Sequence, residues 1–267
     1  MEVTALPDGA AWEVDGVTFV FDYGRDSSVD RFLIRKPPEL FDLYVDLAAS
    51  HEGANVVELG IAAGGSTALL SLLLRPARLV ACELDPRPVV ALEELLLSRD
   101  LGDVVSTFYG VDQADRPALG QIIATTLGDA AADLVIDDAS HLYAETRASF
   151  EVLFPRVRPG GTYIIEDWAA DYAYAERIAT VLRGPEPAAR DLQRRLERLT
   201  ADDAAPPVPL PALGVELLQA AAEAPQVVSG LEVNKHWIAV KRGPADVDPD
   251  EFRLEDLYHD PWGWRPR

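Results

Sequence analysis

The sequence predicts an α/β domain, a mostly parallel sheet with helices on both faces. Three observations carry that reading. Strand-length apolar runs recur at residues 55–60, 79–82, 104–109, 134–136 and 163–165, with helix-period patterns between them. Glycine and proline punctuate the joins, at Gly60, Pro86 and Pro159-Gly160-Gly161. Several runs end in acids, at Glu83, Asp137-Asp138 and Glu166-Asp167. In a β–α–β arrangement such ends share the carboxyl edge of the sheet, where α/β folds bind their ligands.

Residues 133–168 organise the rest. Leu134-Val135-Ile136 leads into Asp137, Asp138 and, after Ala139-Ser140, His141. A helical pattern follows with Phe150, Leu153 and Phe154 on one face, Pro159-Gly160-Gly161 stops it, and Tyr163-Ile164-Ile165 ends in Glu166-Asp167. If the two strands are parallel neighbours, Asp138, Glu166 and Asp167 converge and repel one another unless a cation stands among them. All-oxygen ligation suits a hard divalent ion, Mg²⁺ first, with Mn²⁺ or Ca²⁺ as alternatives. His141, three residues past Asp138, suits a general base at such a site because imidazole titrates near neutrality. The plainer reading is that Asp138 or Ser140 caps the following helix and His141 is a surface residue. Their coincidence on two strand ends favours a site.

Composition narrows the classes. The chain has 267 residues, enough for one α/β domain plus an arm or insertion, and 48% are hydrophobic. A formal net charge of −21 argues against nucleic acid or anionic membranes as partners. Lysine stands only at Lys36, Lys235 and Lys241. The single cysteine, Cys82, falls in an apolar strand pattern and reads as core, which leaves no intrachain disulfide and no thiolate zinc site. No secretory signal pattern opens the sequence and no apolar run reaches membrane-spanning length, so a cytoplasmic location is expected.

Taken in order, residues 1–38 read as an N-terminal arm or lid, with a short strand at 17–21 and a connection at 31–38. Residues 39–49 have amphipathic helical spacing, with Pro38 at the helix start. The run at 55–60 enters a turn, Gly60 to Ser66-Thr67, in which Gly60 permits tightness and Gly64 and Gly65 permit close approach of a ligand. Its spacing is neither the dinucleotide fingerprint nor a phosphate loop. Glu58 ahead of the glycines suits a ligand bearing a cationic amino group. Glu83, at the end of the second strand, is placed to accept from both ribose hydroxyls of an adenosyl ligand, the alternative being that it or Asp85 caps the next helix. Asp112, past the third strand, is placed for an exocyclic adenine amine.

These stretches, VVELGIAAGGS, ACELDP, YGVDQAD, LVIDDASH and RPGGTYIIEDW, resemble the successive motifs of class I S-adenosylmethionine-dependent methyltransferases. The DDASH and IIEDW pair is similar to the divalent-metal-dependent sugar O-methyltransferases of antibiotic biosynthesis, of the macrocin and mycinamicin type. The resemblance covers roughly residues 50–170. It implies a Rossmann-like, seven-stranded sheet with one antiparallel strand. It further implies Asp138, Glu166 and Asp167 as metal ligands and His141 as the base that deprotonates a substrate hydroxyl. Glu58, Gly60, Gly64 and Ser66 would contact the methionine end of the cofactor, Glu83 the ribose, and Asp112 with Gln113 the adenine. The expected cofactors are S-adenosylmethionine and a divalent metal, the expected acceptor a glycosylated small molecule, and the expected assembly a homo-oligomer. A catechol-like phenol acceptor, a cofactor-binding protein without turnover, and a nicotinamide oxidoreductase are the rivals; the glycine spacing weakens the last.

The catalytic domain is expected over 39–243, with a helical insertion near 185–212. Tyr172 and Tyr174 would lie near the pocket, and Trp168 would form a pocket wall or belong to the core. Runs at 227–231 and 237–241 read as a closing hairpin whose turn holds a structural His236. The tail, 244–267, carries Tyr258, Trp262 and Trp264, read as packing residues.

Overall fold

The computed structural model describes residues 3–5, 11–22, 24, 26–169 and 208–259. The tyrosines at 172 and 174, nearly all of the expected insertion and the two tail tryptophans fall outside them.

The N-terminal segment is a small sheet. Val3–Ala5 (β1), Ala11–Val14 (β2), Val17–Phe21 (β3) and Arg31–Ile34 (β4) pair in that order, with only β3 and β4 parallel. The β2–β3 hairpin turns on Asp15-Gly16, both at positive φ (48° and 79°), which matches strand twist. β4 lies where the sequence reading had a connection; Phe32, Leu33 and Ile34 are all buried, so no alternation marks the strand. Trp12 of β2 stacks on Phe41 of α1 (Pro38–His51), with ring centroids 4.1 Å apart and planes within 9°.

The second sheet has seven strands. In chain order it runs Asn55–Leu59 (β5), Gly65–Leu74 (α2), Arg78–Glu83 (β6), Val90–Ser98 (α3), Val105–Tyr109 (β7), Arg116–Leu127 (α4), Ala132–Asp137 (β8), Tyr143–Leu153 (α5), Val157–Glu166 (β9), Pro211–Glu223 (α6), Val228–Val233 (β10) and Trp237–Arg242 (β11). The spatial order is β10-β11-β9-β8-β5-β6-β7. All contacts from β9 to β7 are parallel, and β11 is antiparallel to both its neighbours. The one antiparallel strand is therefore β11, one place in from the edge.

Strand alternation splits the apolar residues between two cores. Val56, Leu134, Ile136 and Ile164 face α1–α3 and the small sheet, while Val57, Leu59, Val135, Tyr163 and Ile165 face α4–α6. Two sequence expectations change. Pro159-Gly160-Gly161 lies inside β9 and does not end the helix, which stops at Leu153 and a 3-10 turn, Phe154–Arg156. The strand tolerates proline there because β8–β9 pairing is irregular between Ala132 and Leu134. Helix α6 was not anticipated; Leu213, Leu217 and Ala220 give it one buried face after a proline-rich approach. Tyr258 of the tail is buried, and its hydroxyl donates to Glu216 of α6 at 2.8 Å. Among the described residues no helix is long and apolar enough to cross a membrane.

Sequence order turns back between β5 and β8, so their carboxyl ends frame the crevice in which such sheets bind ligands. If the small sheet is integral to the fold, Trp12→Ala should lower unfolding free energy by about 3 kcal/mol in denaturant titrations. A loss under about 1 kcal/mol would mean that it packs loosely.

Candidate active site

A cleft of about 1240 Å³ opens along that crevice. Its floor is the β5–α2 turn, its sides are the ends of β6, β8 and β9, and its roof is the segment from Asp26 to Lys36. Gly60 (φ +98°) lets floor and side meet: a Cβ there would stand 2.2 Å from the Asp138 carbonyl oxygen. Gly65 meets the roof in the same way, 2.2 Å from the Leu33 carbonyl. The roof is also tied down by Ser27, whose hydroxyl donates to the Ala63 carbonyl at 2.8 Å and accepts the Leu33 N–H at 3.1 Å.

Glu83 holds the turn in shape. Its Oε2 accepts the backbone N–H groups of Ile61 (3.0 Å) and Ala62 (2.8 Å), and Oε1 accepts that of Asp85 (3.0 Å). Asp112 lines the cleft and uses Oδ1 to accept the Ala114 N–H. Gly60, Ser66, Glu83, Asp112 and Gln113 thus border one cavity, as do Asp138, His141, Glu166 and Asp167.

Gly64 and Glu58 do not line this cavity. Gly64 caps α2 in the left-handed conformation, where an added Cβ would meet Val89, Leu92 and Phe32, while its neighbour Gly65 borders the cleft. Glu58 is fully buried beneath the turn, accepting from the Thr67 hydroxyl at 2.6 Å, and does not line the cleft. Burial pushes its carboxyl up to about 7, against the pull of the Ser66 and Thr67 hydroxyls. Gln113 reaches the cleft but its amide is spent on the protein. Its Nε2 donates to Ser149 Oγ (3.1 Å) and, at 3.3 and 3.4 Å, to Asp137, while its Oε1 accepts the Ser140 N–H (2.8 Å).

The paired acids after β8 divide by strand alternation. Asp137 points inward, where its Oδ2 accepts the Ser149 and Tyr163 hydroxyls (2.7 and 2.8 Å) and burial raises its carboxyl. Asp138 points into the cleft. One atom each from Asp138, His141 and Asp167 lies within 4.8 Å of the others, a grouping compact enough for a metal ion. His141 Nε2 stands 3.7 Å from Asp138 Oδ1. His141 and Asp167 both have left-handed backbones (φ 56° and 49°), a strained choice for non-glycine residues that concentrates at functional sites. Burial and the Asp138 charge raise the Asp167 carboxyl.

Glu166 is placed differently. It is 1% exposed, and Lys36 stands between it and Asp138, Nζ donating at 2.6 Å to Glu166 Oε2 and 2.8 Å to Asp138 Oδ2. Tyr44 of α1 donates to Glu166 Oε1, and its ring lies 4.8 Å from the ammonium. Burial alone would lower the Lys36 pKa, but the two carboxylates hold it well above its ordinary value. Sequence reasoning anticipated a cation among these acids and did not find this one. Lys36 lies 102 and 130 residues from its partners, so no local spacing marks it. Trp168 is part of the core edge, donating Nε1–H to the Asn234 carbonyl at 2.8 Å.

Residues 57–168 match a family model described as a methyltransferase domain. A solved structure of the MycE methyltransferase from the mycinamycin biosynthetic pathway, in complex with Mg, SAH and mycinamycin VI, superposes with a TM-score of 0.51 at 24% identity over 80% of this chain and 51% of that one. The fold is that of a class I methyltransferase. Among curated proteins, demethylmacrocin O-methyltransferase of Streptomyces fradiae is 44% identical over 78 residues, 23% of this chain and 20% of its own length. Mycinamicin VI 2''-O-methyltransferase of Micromonospora griseorubida is 42% identical over 78 residues, with the same shares, so the matched stretch spans a fifth of either relative.

The buried Glu58 gives a pH signature within this methyltransferase fold. Its folded pKa lies above the model-compound value of 4.5, so the folded state holds the proton more tightly and its stability falls as pH rises from 4.5 to about 7. Glu58→Gln removes that slope. The stability difference in favour of the glutamine variant should grow by about 3 kcal/mol between pH 5 and pH 8 in denaturant titrations. A constant difference would show that Glu58 keeps an ordinary pKa.

Proposed function

We propose that the chain transfers the methyl group of S-adenosylmethionine to a hydroxyl on the sugar of a glycosylated small molecule, assisted by a divalent cation, Mg²⁺ first. One observation carries the reading: Asp138, His141 and Asp167 converge within 4.8 Å in the wall of the cleft that also holds the glycine turn and Glu83. A donor site and a hydroxyl-activating site therefore share one cavity. The acceptor class rests on the relatives, whose names specify O-methylation of macrocin-type and mycinamicin substrates.

The residues fit both groups. The glycine turn, with Gly60, Gly65 and Ser66 at the cleft, would take the methionine end. Glu83 Oε1 accepts one backbone N–H and keeps capacity for a ribose hydroxyl. Asp112, whose Oδ1 accepts the Ala114 N–H, would take the adenine amine with its other oxygen, and Gln113 would act indirectly by fixing the Ser140 backbone. The carboxylates of Asp138 and Asp167, with Glu166 behind them, are oxygen donors suited to a hard divalent cation, and His141 beside them is left as the base. When bound, such a cation would chelate vicinal hydroxyls and lower the pKa of the attacking one, worth several kcal/mol.

The chain's own residues do the remainder. The methyl group arrives activated on sulfonium, so the protein must align an oxygen nucleophile with it and remove one proton. His141 accepts that proton, and Asp138 Oδ1, 3.7 Å from its Nε2, stabilises the imidazolium that forms. The roof from Asp26 to Lys36 limits water at the transfer point.

With radiolabelled S-adenosylmethionine and a panel of glycosylated acceptors, His141→Ala should lose roughly 10²- to 10⁴-fold in turnover while keeping cofactor affinity. Asp138→Ala should weaken divalent-ion binding as well. Normal turnover by the histidine variant would remove its role, and transfer only to unglycosylated catechols would replace the acceptor class.

A further inference from the structure

We propose that Lys36 is a tethered cation that occupies Glu166 until a divalent ion displaces it, so that metal loading at this site requires the roof segment to release its lysine. The inference rests on the metal-assisted reading above and adds a residue that lies outside the methyltransferase-domain match at 57–168.

The geometry is that of competition for the same oxygens. Lys36 Nζ takes Asp138 Oδ2 and Glu166 Oε2 at 2.8 and 2.6 Å, inside hydrogen-bond distance of both at once. A divalent ion bridging those two carboxylates would need oxygens about 2.0–2.1 Å away for Mg²⁺ and would stand where the ammonium stands. Both cannot be there. The lysine side chain is 3% exposed and that of Glu166 1%, so no solvent layer separates them and the pair must break before the ion enters. Asp138 Oδ1 and Asp167 remain open on the cleft side. An incoming ion therefore meets these first and takes Glu166 only as Lys36 leaves.

Placement in the chain gives the exchange a consequence. Lys36 sits between β4 and α1, in the segment that roofs the cleft and that Ser27 pins to the glycine turn. Withdrawal of the ammonium loosens the roof's hold on the β8–β9 side, which couples ion loading to access to the transfer site. With Lys36 in place the roof is tied to Asp138 and Glu166; with the ion in place its ties to the turn, through Ser27 and the close Gly65–Leu33 packing, remain.

The test uses the whole chain and two readouts other than turnover. In the first, the unmodified protein is treated with an amine-acetylating reagent, with and without saturating Mg²⁺, and its lysines are followed by peptide mass spectrometry. The chain has three lysines, so Lys235, with its side chain 69% exposed, is an internal reference. Lys36 should be protected without the ion and should react at a rate within about tenfold of Lys235 with it. Protection that persists at saturating Mg²⁺ overturns the proposal. In the second, Mg²⁺ is titrated calorimetrically into wild type and Lys36→Met, each first checked for native circular dichroism. The variant should bind at least about tenfold tighter, because three carboxylates then converge with no resident cation. Equal or weaker binding by the variant overturns the lysine's role and leaves the metal-assisted reading standing. Absence of binding in both proteins overturns the two together.

Discussion

Carboxylates at the ends of adjacent parallel strands can share a buried corner only if a positive charge stands between them or one of them keeps its proton. β8 and β9 deliver Asp138, Glu166 and Asp167 to one place, and the fold answers with Lys36, brought from the other end of the chain onto Asp138 and Glu166. The rest of the site follows from that neutralisation. Because the ammonium reaches the corner from above, the N-terminal segment becomes the roof of the cleft, and the small sheet must pack where Trp12 meets Phe41. Because Glu166 also receives the Tyr44 hydroxyl, α1 is fixed to β9 through a polar contact inside an apolar boundary.

The same economy runs through the turn after β5. Glu83, at the end of β6, spends its oxygens on the backbone N–H groups of Ile61, Ala62 and Asp85. Gly60 permits contact with the Asp138 carbonyl that no side chain would allow. The turn is therefore shaped before any ligand arrives, which is the preorganisation that in-line transfer needs. Asp137, Gln113, Ser149 and Tyr163 form a second, buried polar cluster that fixes the start of the His141 loop.

Much of this was legible in the sequence. The five central strands and their helices follow from apolar period and turn residues, and the acids at strand ends mark the carboxyl edge. Asp138, His141 and Asp167 do lie together there. What the sequence hides is direction and distance. Asp137 and Asp138 look equivalent until strand alternation sends one inward and one to the cleft. Gly64 and Gly65 look equivalent until the backbone turns one toward Val89 and the other toward the roof. Glu58 reads as a ligand contact and lies beneath the turn. Lys36 carries no local signal at all, since its meaning is set by residues more than a hundred positions away. The strand β4 escaped for a related reason: it is buried on both faces and so lacks the alternation that would reveal it.

The central claim is that the cleft framed by the glycine turn, Glu83 and Asp112 is built for S-adenosylmethionine. Calorimetric titration of S-adenosylmethionine into protein stripped of divalent ions tests it most directly. The account predicts one saturable site per chain, lost when Glu83 is replaced by alanine and competed by S-adenosylhomocysteine. No heat of binding and no competition, from protein whose circular dichroism is native, would contradict it.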